Sequence, residues 1–179
     1  MPRHVLLLRG VNLGSHGKMP MADLRELLTS LRYDSVRTVL NSGNAVFTAP
    51  SPDPAAVAAE IGAAVEERFG RAVPCLVKTA GEMDAVVDGN TLAGIADNGS
   101  RLMVHFLFET PDRKRMSDLD PVTLAPGEVA VGDRVIYQWC PDGLMAAPDV
   151  SGPVQRQWGV TATTRNWNTV TRLHTLLHA

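Results

Sequence analysis

The feature that most constrains this chain is the order in which its apolar periods change over the first 79 residues. His4 to Arg9 is a short apolar run and reads as a buried strand. A glycine-rich loop, Gly10 to Lys18, follows, and Pro20 suits the first turn of a helix, where a missing N–H costs nothing. Leu24, Leu27, Leu28 and Leu31 fall at helical spacing. Val36 to Leu40 and Ala45 to Thr48 are β-rich, and Asn41-Ser42-Gly43-Asn44 between them is turn chemistry. Val57, Ile61, Ala64, Val65 and Phe69 mark a second helix that Gly70 ends. Val73 to Thr79 closes the series as a strand. The order β-α-β-β-α-β is the split βαβ, or ferredoxin-like, unit.

The second half repeats that order less cleanly. The spacing predicts a short helix over 83–87, then a turn-rich connection from Asp88 to Ser100. Arg101 to Phe108 reads as a strand, Asp112 to Leu119 as a short charged helix, and 128–131 with 134–139 as a hairpin around Gly132-Asp133. Val150 to Trp158 is the next helix, and a terminal helix runs from about Thr164 to Leu177 with Trp167, Val170, Leu173 and Leu177 on one face. The expected fold class is therefore α+β: two ferredoxin-like halves in tandem, residues 1–88 and 89–179, with an extra C-terminal helix. No residue-level repeat supports the duplication; it rests on element order.

Charge narrows the classes of function. The net charge of −2 is unevenly spread. Residues 1–50 hold six Lys/Arg against three Asp/Glu, residues 51–150 hold eight against sixteen, and residues 151–179 hold three arginines and no acid. Basic ends that meet in space would make a local positive site, suited to a small anion or a phosphate. Broad binding to nucleic-acid backbone usually comes with a basic domain, which this chain lacks. No apolar stretch approaches the length of a membrane helix, and Arg9 closes the apolar run at the start, so no signal peptide is read there. Cys75 and Cys140 have neither metal nor redox spacing. Two free thiols in the reducing cytoplasm are expected.

Three segments carry a resemblance. Leu8-Arg9-Gly10-Val11-Asn12-Leu13-Gly14 is followed by Lys18-Met19-Pro20-Met21; next comes Leu40-Asn41-Ser42-Gly43-Asn44-Ala45-Val46-Phe47, and then Ala162-Thr163-Thr164-Arg165-Asn166-Trp167-Asn168-Thr169-Val170. In this order they resemble the bacterial domain-of-unknown-function family numbered 1697. The resemblance spans nearly the whole chain and implies two ferredoxin-like halves. It implies no activity, because the family has none assigned. Members often carry a Ser-Lys pair before the penultimate helix; here that stretch reads Met145-Ala146-Ala147-Pro148-Asp149-Val150, so no lysine role carries over.

The chemistry of these segments is open to two readings each. Strand, glycine-rich loop, Lys18 and helix start resemble a phosphate-binding layout, since free N–H groups and a helix dipole favour an anion. The spacing excludes a Walker motif, which would need glycine at Asn12 and Ser or Thr at Met19. A flexible connection with glycines at positive φ is the alternative. Asn41, Ser42 and Asn44 are either turn formers or polar groups beside that loop, because a split βαβ unit puts the end of the first strand next to the hairpin tip. Arg165, Asn168, Thr169 and Arg172 share a helical face if the terminal helix starts at Thr164, and could grip a carboxylate or phosphate or else bond neighbouring elements.

The candidate ligand site is Arg9, Asn12, Lys18, Ser42, Asn44, Arg165 and Asn168, for a small anionic or nucleotide-like ligand. Such a cleft could also orient a substrate, so binding and catalysis both stay open. The alternatives are a nucleic-acid-binding module and an interaction domain without a ligand. Against the first stand four Phe, two Tyr and three Trp, with no strand of paired aromatics. His174 and His178 lie four apart at the end of a helix with no third ligand in view, so no metal and no cofactor are assigned. No Gly-x-Ser-x-Gly elbow, carboxylate pair or Cys-His pair is visible.

Overall fold

The computed structural model describes residues 1–179. Eight strands and six α-helices make up the chain. They are β1 (Arg3–Leu8), α1 (Met21–Ser30), β2 (Asp34–Val39), β3 (Asn44–Thr48), α2 (Pro54–Phe69), β4 (Cys75–Thr79) and α3 (Ala80–Asp88). Then come β5 (Leu102–Leu107), α4 (Arg113–Met116), β6 (Val129–Gly132), β7 (Val135–Trp139), α5 (Ser151–Trp158), β8 (Ala162–Asn166) and α6 (Trp167–Leu177). Two compact units result: Met1–Asp84 with Arg172–Ala179, and Ala85–Thr171.

In the first unit the sheet order is β2-β3-β1-β4 with every neighbouring pair antiparallel. Strands β1 and β2 are both antiparallel to β3 between them, so they run parallel to each other, as the split βαβ order requires. Leu6, Leu8 and Phe47 of the sheet pack with Leu24, Leu27 and Leu28 of α1 and Val57, Ile61 and Val65 of α2. Both helices therefore cover one face. Helix α2 shows why its ends fall where they do. The Asp53 side chain accepts from Ala55 N, Pro54 takes the first turn, and Gly70 ends the helix in the left-handed region at φ 72°.

The second unit repeats this topology with sheet order β6-β7-β5-β8. Leu107, Ile136 and Ala162 pack with Val154 and Trp158 of α5. The fourth strand, β8, occupies residues where the spacing predicts the start of the terminal helix. Ala162 to Asn166 pairs antiparallel with β5, and α6 begins only at Trp167. Two local preferences set this boundary. Thr163 and Thr164 are β-branched, which favours a pleated surface. Asn166 then starts the helix, its Oδ1 accepting from Thr169 N at 2.9 Å. The short helix expected over 112–119 is also cut to Arg113–Met116.

Cys75 and Cys140 are free, Cys140 being fully buried. Burial pushes the Cys75 thiol up to about 12 and raises Cys140 as well, Glu128 adding to the latter. Both stay protonated and poorly nucleophilic at pH 8. Titration of the native protein with an aromatic disulfide reagent at that pH should be slow, and denaturant should release two reactive thiols. Rapid labelling of the native protein would contradict this.

Candidate functional site

The glycine-rich loop and the hairpin tip meet at one end of the first sheet. Asn12 joins them. It sits in the left-handed region at φ 54°, which asparagine tolerates. Its Nδ2 donates to Met19 O at 2.9 Å and to Asn41 O at 2.6 Å, and its Oδ1 accepts from Met19 N at 2.8 Å. Asn12 N also donates to Gly17 O at 2.9 Å, and His16 N to Leu13 O at 3.0 Å, so the loop closes on itself as a small hairpin. Arg71 Nη2 holds Gly17 O at 2.8 Å. On the neighbouring turn, buried Asn44 donates from Nδ2 to Val39 O at 2.9 Å and to Ser42 Oγ at 2.8 Å. Asn12 and Asn44 therefore build this end of the unit. Arg9, Lys18 and Ser42 are exposed there, as are Ser15, His16 and Asn41.

Arg165 and Asn168 belong to the second unit. Arg165 lies on β8, not on the terminal helix, so the shared helical face with Asn168, Thr169 and Arg172 does not form. Its guanidinium is buried and donates from Nη1 to Thr163 Oγ1 at 2.8 Å and Thr164 O at 2.9 Å. Desolvation lowers its pKa to about 10, which still leaves it charged at neutral pH. Asn168, in the first turn of α6, donates from its backbone N to Gly99 O at 3.4 Å, and its side chain leaves no room for a Cβ at residue 99.

A groove that sequence spacing does not reveal runs along β2, the open edge strand of the first sheet. It has a volume of about 360 Å³ and is lined by Arg25 of α1, Val36, Arg37, Thr38 and Val39 of β2, and Arg172 and Leu176 of α6. All three arginines are exposed, and none pairs with a carboxylate. No Asp or Glu lines the groove. Arg25 Nη2 donates to Thr38 Oγ1 at 3.1 Å, which draws the α1 guanidinium over the strand. Each guanidinium offers a planar fork of donors that matches phosphate or carboxylate oxygens.

The second unit holds a different pocket, of about 300 Å³, with His105, Gln138 and Thr164 on its polar wall and Leu144, Met145, Pro148, Asp149 and Ser151 around it. The stretch where family members often carry Ser-Lys thus forms part of this pocket. Gln138 Nε2 donates to Pro148 O at 2.9 Å, which turns Oε1 toward His105 Nε2, 2.9 Å away. An amide oxygen only accepts, so Nε2 carries the proton and Nδ1 accepts from the Thr164 hydroxyl at 2.7 Å. Burial holds the His105 pKa below the ordinary imidazole value, against the opposing pull of the Gln138 bond and the Asp149 charge.

The pH dependence follows from that depression. Below about pH 6.5 the unfolded chain takes up a proton at residue 105 that the folded chain refuses, so stability falls as pH drops. Above that pH the imidazole is neutral in both states and contributes no slope. His105→Gln should flatten the fall of the melting temperature between neutral and mildly acid pH. An unchanged profile would show that other groups cause it.

Fold and motifs together define an α+β protein of two tandem split βαβ halves. The chain belongs to the family described as "Protein of unknown function (DUF1697)", whose profile matches residues 1–137. The solved structure of the conserved bacterial protein SP0830 from Streptococcus pneumoniae is similar at TM-score 0.67 and 22% identity, covering 98% of each chain. At that identity the likeness shows the fold. No curated protein matches the chain. No helix is long and apolar enough to cross a membrane.

Proposed function

We propose that the protein binds a small phosphate-bearing anion in the groove formed by Arg25, Arg37 and Arg172. The observation that carries this reading is three guanidinium groups lining one concavity from which every carboxylate is absent. The protein as a whole is acidic, so this clustering runs against its net charge of −2. The volume is in the range of small-ligand sites and would hold pyrophosphate or a mononucleotide. None of Arg9, Asn12, Lys18, Ser42, Asn44, Arg165 and Asn168 lines the groove.

Thermal shift against inorganic pyrophosphate tests the reading. The melting temperature should rise with ligand, and the rise should shrink between 50 and 500 mM salt, concentrations over which the Debye length falls from roughly 14 to 4 Å. A shift that ignores salt would contradict an exposed cationic groove. An oligonucleotide that outcompetes pyrophosphate at equal phosphate concentration would favour the nucleic-acid reading instead.

A further inference from the structure

We propose that Asp84, His174 and His178 form a binding site for one divalent transition-metal ion of the zinc class. His174 on α6 and His178, in the turn just past its end, converge on a carboxylate about ninety residues earlier in the chain: His174 Nε2 and His178 Nε2 each lie 2.7 Å from Asp84 Oδ1. One ligand atom from each residue falls within 4.8 Å of the others. Ligands around a tetrahedral ion at about 2.0–2.2 Å stand roughly 3.3 Å apart. To admit the ion, the two oxygen–nitrogen separations would open from 2.7 Å by roughly 0.6 Å while the remaining separation, within 4.8 Å, closes toward the same value through side-chain rotation. Imidazole nitrogen with one carboxylate is a donor set that zinc and its neighbours accept and that calcium and magnesium do not favour.

The scaffold holds these three atoms in place. Helix α3 starts with a reciprocal cap in which Thr79 N donates to Glu82 Oε2 at 2.8 Å and Glu82 N to Thr79 Oγ1 at 3.2 Å. That fixes the turn carrying Asp84. On α6, Leu173 and Leu177 are buried and seat the helix. Its C-terminal end is tied to β1, where Arg3 Nη1 donates to Leu176 O at 3.3 Å and to Leu177 O at 3.0 Å, and also to Ala179 O. The two rings stand at 63° to one another with centroids 4.8 Å apart, and each turns its Nε2 to the same carboxylate oxygen. Asp84, His174 and His178 keep 43%, 28% and 47% of their side-chain surface exposed, which leaves a fourth position open to water. The two histidines trail Arg172 and Leu176 by two residues, or about 200° of helix, so this site is independent of the arginine groove.

The hydrogen-bonded carboxylate alone would also account for the metal-free arrangement, and the test separates the two. Tag-free protein is titrated with Zn²⁺ by calorimetry and with Co²⁺ by visible absorption. One ion per chain should bind, with a Co²⁺ ligand-field band and a raised melting temperature. Asp84→Asn keeps an oxygen that accepts from both imidazoles, so its melting temperature without metal should stay near that of the parent. Its Zn²⁺ affinity should fall by about 100-fold, at or beyond the loss that removing a mere supporting partner causes. His178→Ala should lose a similar factor, and His16→Ala, on the exposed loop, should lose none. Absence of stoichiometric Zn²⁺ binding by the parent would overturn the proposal. So would an affinity unchanged in both Asp84→Asn and His178→Ala.

Discussion

Gly43→Ala should lower the unfolding free energy of the first unit by about 3 kcal/mol. Two costs combine. Gly43 sits at φ 85°, where an L side chain is strained by about 1–2 kcal/mol. A Cβ there would also lie 2.7 Å from both Leu8 Cβ and Val11 Cγ2. Leu8 and Val11 are buried, so neither can swing into solvent, and overpacking of this kind costs roughly 1–3 kcal/mol. Gly70→Ala is the matched comparison: its φ is 72°, and nothing lies within 4 Å of its Cβ position. Urea unfolding should give Gly43→Ala at least twice the loss of Gly70→Ala. Equal losses would mean that the hairpin tip is not packed against the first strand and its loop as described.

The 41–44 turn could be placed from sequence alone. Four residues of turn chemistry between two β-rich runs fix a hairpin, and the split βαβ order then puts its tip beside the end of β1. The same logic reaches both sheets, because apolar period and breaker residues are local signals. It stops at β8. Ala162 to Asn166 alternates no apolar and polar residues, yet Thr163 and Arg165 are both buried. Its strand state depends on pairing with β5, every residue of which is buried. The signals that remain in the sequence are two β-branched threonines and an asparagine able to cap the helix that follows.

Sites were less legible than folds for a physical reason. Asn12 and Asn44 stand out because they fall in a glycine-rich loop and a hairpin turn, and the structure gives them local backbone partners. Arg25, Arg37 and Arg172 look like ordinary surface charges, since each lies on a different element and only the tertiary fold gathers them. Asp84 is hidden in the same way: it stands on α3, ninety residues before His174, with no spacing that ties it to a histidine pair. His105 and Thr164 meet only through the pairing of β5 with β8, in which they are direct partners.

The arginine groove predicts the second large effect. Replacing Arg37 and Arg172 together by alanine should weaken pyrophosphate binding by a hundredfold or more, since each charged hydrogen bond to an anion contributes about 1.5–3 kcal/mol, or roughly ten- to a hundredfold. Both side chains are exposed and without a carboxylate partner, so folding should be little affected. Arg113→Ala, on exposed α4, controls for a general loss of positive charge.

Calorimetric titration of the parent, Arg37→Ala/Arg172→Ala and Arg113→Ala proteins with pyrophosphate at about 50 mM salt is the most direct measurement, because screening is weak there. The groove predicts saturable binding by the parent and the Arg113 variant and a loss of at least about a hundredfold in the double variant. No binding by the parent, or equal binding by all three, would contradict it.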